Sequence, residues 1–254
     1  MKFLLIIVCA FTASNCAISH RIINGTEALP KPWVARIHFE HHGHLDSNCG
    51  GSLIHPEWIL TAKHCLLETK TRLYSKKFYV YIGENERDYG QLIKVIEWHF
   101  YSTYNRGDND VALLRLEKIP NKINRIPILL QDMPYKGLTA KIYGWGRTDP
   151  HNRTSSPKKL REAEVENLFP CYDDKICFHP TETNACLGDS GGPMTVKLNG
   201  IETLIGVSHA VSSNKHDIPC SGSITSYTST AYYANWIQTI VYESLEIEDF
   251  EYYL

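Results

Sequence analysis

Short apolar runs recur along the chain, and clusters of turn-forming residues separate them. The runs include WVARIHF, GSLI, WILTA, FYVYIG, LIKVIEW, VALLRL, AKIYGWG and TLIGVSHAV. Their length and spacing are typical of β-strands in a barrel or sandwich, rather than of the alternating strands and helices of a parallel sheet. Near the C-terminus the pattern changes, because Trp236, Ile237, Ile240 and Val241 recur at helical spacing. This spacing predicts a C-terminal helix at about 230–245.

Residues 1–17 have the pattern of a signal peptide. Lys2 precedes an apolar run from Phe3 to Phe11, and small residues follow the run. The run is too short to cross a membrane, so a cut after Ala17 would give a secreted, extracellular chain. The whole chain has 254 residues, which is enough for one large domain or two smaller halves.

The charge of the chain narrows the choice of partners. The formal net charge is −2 at pH 7, and without the basic Lys2 and Arg21 it becomes −4 from Ile22 onward. An acidic chain is a poor match for nucleic acid, so no nucleic-acid partner is expected. No later segment is long and apolar enough to span a membrane, so no membrane partner is expected either.

The cysteines support an oxidising compartment. The chain has eight cysteines, two of them in the leader. A cut after Ala17 leaves an even set, whereas a cut after Ser14 would leave Cys16 as an odd thiol. An even number in a secreted chain favours three disulfides among Cys49, Cys65, Cys171, Cys177, Cys186 and Cys220. The sequons at Asn24 and Asn152 allow N-glycans in the same compartment.

The stretch GDSGGP, residues 188–193, is built to expose one serine. A serine hydroxyl is a poor nucleophile without a base in hydrogen-bond reach and a group that orients the base. Glycines on both sides let the backbone turn sharply and free N–H groups that stabilise an oxyanion. The stretch also matches G-x-S-x-G, the elbow of α/β-hydrolases, in which the histidine follows the serine. Only His209 and His216 follow Ser190, and no βαβ pattern surrounds them, so the sequence does not favour that class.

Two upstream stretches supply candidates for the base and its orienting acid. WILTAKHC places His64 beside a cysteine, and DNDVALLRL places Asp110 at the head of an apolar strand. Alone, such a histidine is more often structural, and such an acid is more often a cap or turn residue. Together with Ser190, in the order His, Asp, Ser, they resemble the trypsin and chymotrypsin family of serine endopeptidases. The resemblance runs over about 21–240, with YGWG and ANWI as further landmarks.

The resemblance implies an all-β, chymotrypsin-like fold of two antiparallel six-stranded β-barrels with a C-terminal helix. The trypsin-like protease domain would span residues 22–245, with one barrel at about 22–133, the other at about 134–230 and the helix at about 230–245. The family pattern also implies the disulfides Cys49–Cys65, Cys171–Cys177 and Cys186–Cys220, the last of which would brace the specificity pocket. Three such bridges are common among invertebrate members, which favours an invertebrate origin.

The resemblance also carries catalytic roles over to individual residues. Ser190 attacks the scissile carbonyl, and His64 takes the serine proton and returns it to the leaving amine. Asp110 orients His64 and stabilises its charged form, and the N–H groups of Gly188 and Ser190 form the oxyanion hole. We therefore expect a serine endopeptidase that works through an acyl-enzyme and needs no cofactor.

The stretch SHRIINGTEA resembles the activation site of the family. Cleavage after Arg21 would remove a propeptide at residues 18–21 and free the amine of Ile22. That ammonium would turn inward and pair with Asp189, because a buried charge needs a partner. We expect a zymogen that is activated by a protease cutting after arginine. A solvated basic loop is the alternative interpretation of this stretch.

Alignment with the family places Asn184 at the base of the primary specificity pocket. Trypsin-like members have aspartate there, whereas Asn184 has no charge to neutralise a buried cation. Ala210 and Thr225 fall where open pockets have glycine, so their side chains would narrow the cavity, as in elastases. Ser208 matches the serine beside the triad whose strand pairs with substrate. We expect cleavage after small or medium uncharged residues.

Two departures from the family pattern keep a second hypothesis open. His209 stands where the family usually has tryptophan, and AVSSNKHDIP, residues 210–219, adds length at the pocket rim. A non-catalytic member of the fold, acting as a binding or anticoagulant protein, is the alternative function. Members of that kind usually lack a triad residue, and this chain has all three, so the enzyme is favoured.

The remaining features carry weaker signals. EHHGHLD, residues 40–46, offers histidines and acids that suit zinc, but an exposed hairpin loop is the simpler interpretation, and no metal is assigned. The acidic and aromatic tail at 246–254 is interpreted as a solvated terminus, with docking on a partner as the alternative. The expected partners are protein or peptide substrates, the activating protease, and serpin or Kunitz-type inhibitors. The expected oligomeric state is a monomer.

Overall fold

The computed structural model describes residues 22–41, 43–67, 77–101, 109–212 and 220–241. The predicted signal peptide, the propeptide, most of the rim insertion and the tail lie outside the described residues, as do the side chains of His41 and His42. The described residues form fourteen strands, one short 3₁₀ turn and a helical segment near the C-terminus. The all-β prediction is therefore confirmed.

The first half of the chain forms a closed six-stranded barrel. After the short β1 (Thr26–Glu27), its strands are β2 (Val34–His41), β3 (His44–His55), β4 (Trp58–Thr61), β5 (Phe78–Ile82), β6 (Gln91–Phe100) and β7 (Ala112–Leu116). The order around the barrel is β2, β3, β4, β7, β6, β5, and β2 pairs with β5 to close it. Every neighbouring pair is antiparallel.

Alternating burial explains why these apolar runs close into a barrel. In β5, Phe78, Val80 and Ile82 are buried, while the two tyrosines between them are half-buried. Residues that alternate in this way place every second side chain in the interior, which a small barrel fills completely. Burying each such side chain contributes about 1.5–3 kcal/mol before the entropy cost of folding is subtracted.

The second half forms an eight-stranded antiparallel sheet. Its strands are β8 (Ala140–Gly144), β9 (Arg161–Val165), β10 (Phe169–Tyr172), β11 (Lys175–Phe178), β12 (Pro193–Leu198), β13 (Ile201–Val211) and β14 (Thr225–Ser229), together with β1. The order is β1, β9, β8, β12, β13, β14, β11, β10.

This strand count differs from the six strands predicted for the second half. The two extra strands lie at the edges of the sheet, where β1 pairs with β9 and β10 pairs with β11. Both are only two to four residues long. Such short edge strands carry too little hydrophobic alternation to be recognised in a sequence.

Residues 234–241 are helical, within the range that the sequence predicts. Ile237 and Val241, one helical turn apart, are buried against the core of the first barrel, as is the preceding Tyr233. The end of the described chain therefore packs back on its first half. No helix among the described residues has both the length and the apolar character needed to cross a bilayer.

Three disulfides join the cysteine pairs that the family pattern implies. Cys49–Cys65 links β3 to the turn after β4, Cys171–Cys177 closes the β10–β11 hairpin, and Cys186–Cys220 spans 34 residues. Each bridge restricts the unfolded chain, which typically stabilises the fold by about 2–4 kcal/mol. Two of them lie beside candidate site residues, so they brace the site as well as the fold.

Candidate active site

One strand pair brings the two candidate catalytic residues of the first barrel together. β4 and β7 run antiparallel, with Thr61 opposite Ala112. The end of β4 therefore lies beside the start of β7. His64 follows β4 on the 3₁₀ turn Lys63–Leu66, and Asp110 precedes β7. Residues 46 positions apart in sequence thus meet at one end of the barrel.

Asp110 holds His64 through both of its carboxylate oxygens. Oδ1 accepts the backbone N–H of His64 at 2.8 Å, and Oδ2 lies 2.7 Å from Nδ1 of the imidazole. Burial of Asp110 opposes its ionisation, but hydrogen bonds from His209 and His64 outweigh burial and hold its pKa well below the ordinary value. The carboxylate is therefore ionised at neutral pH. It orients the imidazole ring through Nδ1, so Nε2 does not contact the carboxylate.

A second imidazole contacts the same carboxylate. Nδ1 of His209, on β13, lies 2.6 Å from Asp110 Oδ2, and the centres of the His209 and His64 rings are 6.4 Å apart. The sequence marked His209 only as an altered subsite residue and missed this contact. The available signal was a titratable ring directly after Ser208, which the family places beside the triad. A bulge in the pairing between Ser208 and Ala210 sets His209 off the regular ladder.

Ser190 lies in a tight turn before β12 that the first barrel also holds. Gly50 of β3 donates its N–H to the Ser190 carbonyl at 2.8 Å, which joins the two halves at the candidate nucleophile. Gly191 has a φ of +73°, and a Cβ there would lie 2.4 Å from the hydroxyl oxygen of Thr61. Only glycine is compatible with this turn, which explains the residue type after the serine.

The amide groups around Ser190 suit an oxyanion. Within the described residues, neither the N–H of Gly188 nor that of Ser190 has a protein acceptor. Both residues line a cavity of about 620 Å³, and His64 lines the same cavity. A nucleophile candidate, a base candidate and free donors therefore face one space, which is the arrangement that acyl transfer requires.

Asp189 is buried behind this turn. Its two carboxylate oxygens accept the N–H groups of Gly146 at 2.8 Å and Cys186 at 2.9 Å. Burial raises the pKa of Asp189 to about 6, and the two hydrogen bonds and the charge of Arg36 offset only part of that effect. The carboxyl therefore lacks a full counter-charge among the described residues that surround it.

The residue after the predicted activation cut lies inside the protein. Ile22 is 1% exposed and packs in the core of the second half. Ile23 forms an antiparallel bridge with Asn184, whose N–H donates to the Ile23 carbonyl at 3.3 Å. Arg21 itself is outside the described residues. The new N-terminal segment that cleavage would create therefore enters the second half beside Asn184, a candidate pocket residue.

Comparison with known proteins identifies the family. The model of the family described as Trypsin matches residues 22–237. The chain belongs to the trypsin family. Coagulation factor IX of Cavia porcellus is 29% identical over 237 residues, which cover 85% of this chain and 80% of that relative. The hepatocyte growth factor activator serine protease of Homo sapiens is 30% identical over 220 residues, which cover 74% of this chain and 32% of that relative.

A solved structure leads to the same family. A protein titled HL collagenase superposes with a TM-score of 0.69 at 27% identity, and the match covers 86% of this chain and 97% of that one. The predicted chymotrypsin-like fold and the predicted enzyme class are thereby confirmed. The chain is a serine endopeptidase, and therefore a hydrolase, of the trypsin family.

In this trypsin-family protease, Asn184 and Thr225 form a closed hydrogen-bonded pair. Asn184 is 4% exposed and Thr225 is 1% exposed. The Thr225 hydroxyl donates to Asn184 Oδ1 at 2.5 Å, and Asn184 Nδ2 donates to the Cys220 carbonyl at 2.8 Å. The amide is therefore engaged at both ends by neutral groups and offers no charge to a cationic side chain.

The other two pocket candidates, Ser208 and Ala210, both lie on β13. Ser208 is buried, and its backbone N–H and carbonyl are bonded to the glycines of the nucleophile turn. Ala210 is exposed and lines a separate cavity of about 330 Å³ that His209 also lines. The structure brings Asn184 and Thr225 into contact but does not place Ala210 with them. Of the two residues predicted to narrow the pocket, Thr225 lies against Asn184, whereas Ala210 is exposed on β13.

Two groups of described residues bring potential metal ligands within 4.8 Å of one another. In the first, Cys49 and Cys65 accompany His64, but their sulfurs are joined in a disulfide. In the second, His64 and His209 accompany Asp110, and hydrogen bonds to the carboxylate account for both Nδ1 atoms. Hydrogen bonding and the disulfide explain both groups, so we assign no metal to either.

The two sequon asparagines differ in their surroundings. Nδ2 of Asn24 donates to the Glu182 carbonyl at 2.6 Å. Asn152 is exposed, and its Oδ1 accepts both the N–H and the hydroxyl of Thr154. Nδ2 of Asn152 has no protein partner within the described residues. Both side chains are exposed, so among the described residues the two differ in the amide nitrogen that would carry a glycan, which is bonded in Asn24 and free in Asn152.

Proposed function

We propose that this chain is a secreted zymogen whose mature form cleaves peptide bonds after small or medium uncharged residues, through an acyl-enzyme on Ser190. One observation carries the proposal. Asp110 fixes His64 at 2.7 Å on the wall of the cavity that Ser190 also lines. Nucleophile, base and orienting acid are the three groups that this reaction needs.

In the proposed reaction, His64 takes the proton of the Ser190 hydroxyl as its oxygen attacks the substrate carbonyl. Asp110 keeps Nδ1 of His64 protonated and stabilises the imidazolium. The free N–H groups of Gly188 and Ser190 stabilise the oxyanion of the tetrahedral intermediate. His64 then protonates the leaving amine, and water repeats the sequence to release the acid product.

Activation follows cleavage after Arg21 in this proposal. The new ammonium of Ile22 pairs with Asp189 and locks the oxyanion turn. The proposal is supported by the burial of Ile22 and by a carboxyl at Asp189 whose pKa is raised because burial is not fully compensated. An arriving cation would lower the pKa of Asp189 and remove that penalty.

The preference for uncharged residues is supported by the Asn184–Thr225 pair. A substrate arginine or lysine at this base would be buried against an amide whose oxygen and nitrogen are already bonded. A buried charge without a counter-charge is strongly unfavourable, so cleavage after basic residues is disfavoured. A small apolar side chain requires no such partner.

Secretion is supported by the three disulfides, which persist in oxidising compartments. In that setting, Asn152 is the favoured site for an N-glycan. The proposed partners are protein or peptide substrates, a protease that cuts after arginine, and serpin or Kunitz-type inhibitors that occupy the same cleft.

The test is to cleave the proenzyme after Arg21, inactivate the activator and profile peptides randomised at the residue before the cut. Ser190→Ala is the control for residual activator, and Arg21→Gln is the control for activation. A fluorophosphonate probe reports on the reactivity of Ser190 independently of substrate choice.

Strong cleavage after alanine, valine or leucine would support the proposal. Preferential cleavage after arginine or lysine would overturn the pocket assignment but not the triad. An unlabelled Ser190 together with no cleavage would favour the alternative function, a non-catalytic binding or anticoagulant member of the family.

A further inference from the structure

Four arginines surround the cavity beside Ser190. The residues that line it are drawn from both halves of the chain, and the arginines are Arg36, Arg87, Arg147 and Arg153. None of the described residues that line this cavity is aspartate or glutamate. The cavity thus concentrates positive charge next to the reacting serine, although the chain as a whole has a net charge of −2.

The cavity lies on the leaving-group side of the cleft. It is lined by His64, which delivers the proton to the leaving amine in the proposed reaction, and by the Cys49–Cys65 disulfide. Neither Asn184 nor Thr225 lines it. The residues that follow the scissile bond, rather than the residue that precedes it, would therefore enter this space.

One carboxylate, that of Asp88, lies beside two of the four arginines and offsets part of their positive charge. Oδ1 of Asp88 lies 2.8 Å from Nε of Arg36 and 3.0 Å from Nε2 of His38, and Oδ2 lies 3.5 Å from Nε of Arg87. A single carboxylate thus faces two guanidinium groups. Asp88 therefore offsets much of the charge of Arg36 and Arg87, and Arg36 also interacts with the charge of Asp189.

The other two arginines of the cavity, Arg147 and Arg153, lie in the braced segment between β8 and β9. The N–H of Arg147 donates to the carbonyl of Leu187 at 2.8 Å, which fixes the backbone beside the oxyanion glycine. The hydroxyl of Ser155 accepts the N–H of Thr148 at 3.3 Å and folds the turn that carries Arg153. Within the described residues, neither of these guanidinium groups has a carboxylate partner.

We propose that Arg147 and Arg153 in this cavity select substrates with an acidic side chain at the first or second position after the scissile bond. A guanidinium is a planar fork that binds a carboxylate through two parallel hydrogen bonds, so arginine is better suited than lysine to this task. The inference rests on the proposed function, because it assumes that Ser190 cleaves peptides. The proposed function gives a preference for uncharged residues before the cut. This inference adds a preference for acidic residues after the cut.

The test uses peptides that have the same sequence before the cut. After the cut they carry either glutamate or glutamine at the first position, at the second position, or at both. The measured quantity is the ratio of kcat/KM for the glutamate peptide to that for its glutamine isostere. We expect a ratio of about ten or more at low ionic strength. The ratio should shrink as salt is raised, because added ions screen exposed charges.

Arg147→Gln combined with Arg153→Gln should reduce this ratio to about three or less, since two unpaired guanidinium groups are lost. Lys197→Gln removes an exposed cation on β12, away from the cavity, and should leave the ratio unchanged. Because each ratio is formed within one variant, a general loss of activity or of folded protein cancels out.

The outcomes separate this inference from the function on which it rests. A ratio near one in the parent enzyme, with both peptides hydrolysed, would overturn the inference and leave the endopeptidase standing. A high ratio that survives in the double arginine variant would also overturn it, because other groups would then be responsible. No hydrolysis of any peptide, with Ser190 unlabelled by a fluorophosphonate, would overturn the proposed function and this inference with it.

Discussion

The two sides of the cleft around Ser190 differ in how their polar groups are used. On the proposed acyl side, Asn184 and Thr225 bond to each other and are almost completely buried. On the proposed leaving-group side, Arg147 and Arg153 lie on a cavity wall without carboxylate partners among the described residues. The first side is neutral and closed, whereas the second is basic and open.

This difference shows where selectivity can come from. A satisfied pair of neutral groups can exclude a large or charged side chain but adds little attraction of its own. Unpaired guanidinium groups attract a specific charge and steer its approach. We therefore expect the acyl side to act by exclusion and the leaving-group side by attraction.

The largest effect is expected at the proposed triad of Ser190, His64 and Asp110, which lies between the two sides of the cleft and acts on every substrate. Asp110→Asn should lower kcat by about 10⁴-fold, because a neutral amide neither keeps His64 in the productive tautomer nor stabilises its charge. The loss should be the same for peptides with acidic and with neutral leaving sides, as measured by steady-state kinetics at pH 7.

Asp132→Asn, an exposed carboxylate elsewhere, is the matched control. A loss of less than tenfold would show that Asp110 does not orient the base. Unequal losses on the two kinds of peptide would show that Asp110 also affects the leaving-group side.

The next effect concerns Asp189, which lies behind the turn shared by both sides. Burial raises its folded pKa to about 6, above the ordinary value near 4. Between these values the folded state holds a proton that the unfolded state releases. The contribution of Asp189 to the free energy of unfolding should therefore fall by about 3 kcal/mol in all as pH rises from about 3 to about 7.

The measurement is urea denaturation of the uncleaved proenzyme, made inactive by Ser190→Ala, compared with the same protein carrying Asp189→Asn. The difference between the two should change across this pH window and become flat above about pH 7. After cleavage and pairing with Ile22, the change should disappear. Parallel curves for the two proenzymes would contradict the raised pKa.

A smaller effect is expected from adding a charge to the neutral side. Asn184→Asp should raise the preference for arginine over alanine before the cut by about ten- to hundredfold, since a substrate cation then finds a counter-charge. It should also lower the free energy of unfolding by about 1–3 kcal/mol, because the Cys220 carbonyl loses its donor.

Asn199→Asp, in an exposed turn, is the control for added charge. Peptide profiling and denaturation give the two readouts. An unchanged preference for the residue before the cut would place Asn184 outside the pocket and remove one side of the comparison.

The smallest effect is expected at His209, which joins the acyl side to the triad. His209→Phe removes one of two imidazole donors from Asp110 but leaves both hydrogen bonds to His64 intact. We expect kcat to change by about threefold or less and the free energy of unfolding to fall by about 1.5 kcal/mol. His151→Phe, on an exposed turn, is the control.

A fall of more than a hundredfold in kcat would instead give His209 a direct part in the reaction. In that case the two sides of the cleft would not be independent, because β13 would couple substrate binding on the acyl side to the charge of the triad.

Much of the fold was readable from the sequence, but not all strands were. The barrel strands of the first half follow apolar runs, and β4 and β7 place His64 and Asp110 where their motifs predict. β14 is fully buried, yet Tyr227 is its only large apolar residue. Its hydroxyl groups are hydrogen-bonded inside the protein, as Thr228 is to the Asp110 carbonyl, so hydrophobic periodicity does not reveal it.

The sequence by itself determined the chemical groups of the centre. Ser190, His64 and Asp110 stand in motifs whose local spacing encodes a turn, a strand end and a strand start, and a single chain carries that information. It also marked Asn184 as neutral, because the residue type alone decides whether a charge is present.

Only the tertiary structure decided which further residues contact those groups and lie around them. The second imidazole on Asp110 comes from β13, the donor to Asn184 comes from β14, and the four arginines of the leaving-group cavity come from separate parts of the chain. Such contacts depend on which strands pair and where a bulge shifts the register. Distance along the chain carries no information about them, because antiparallel pairing brings together residues that are far apart in sequence.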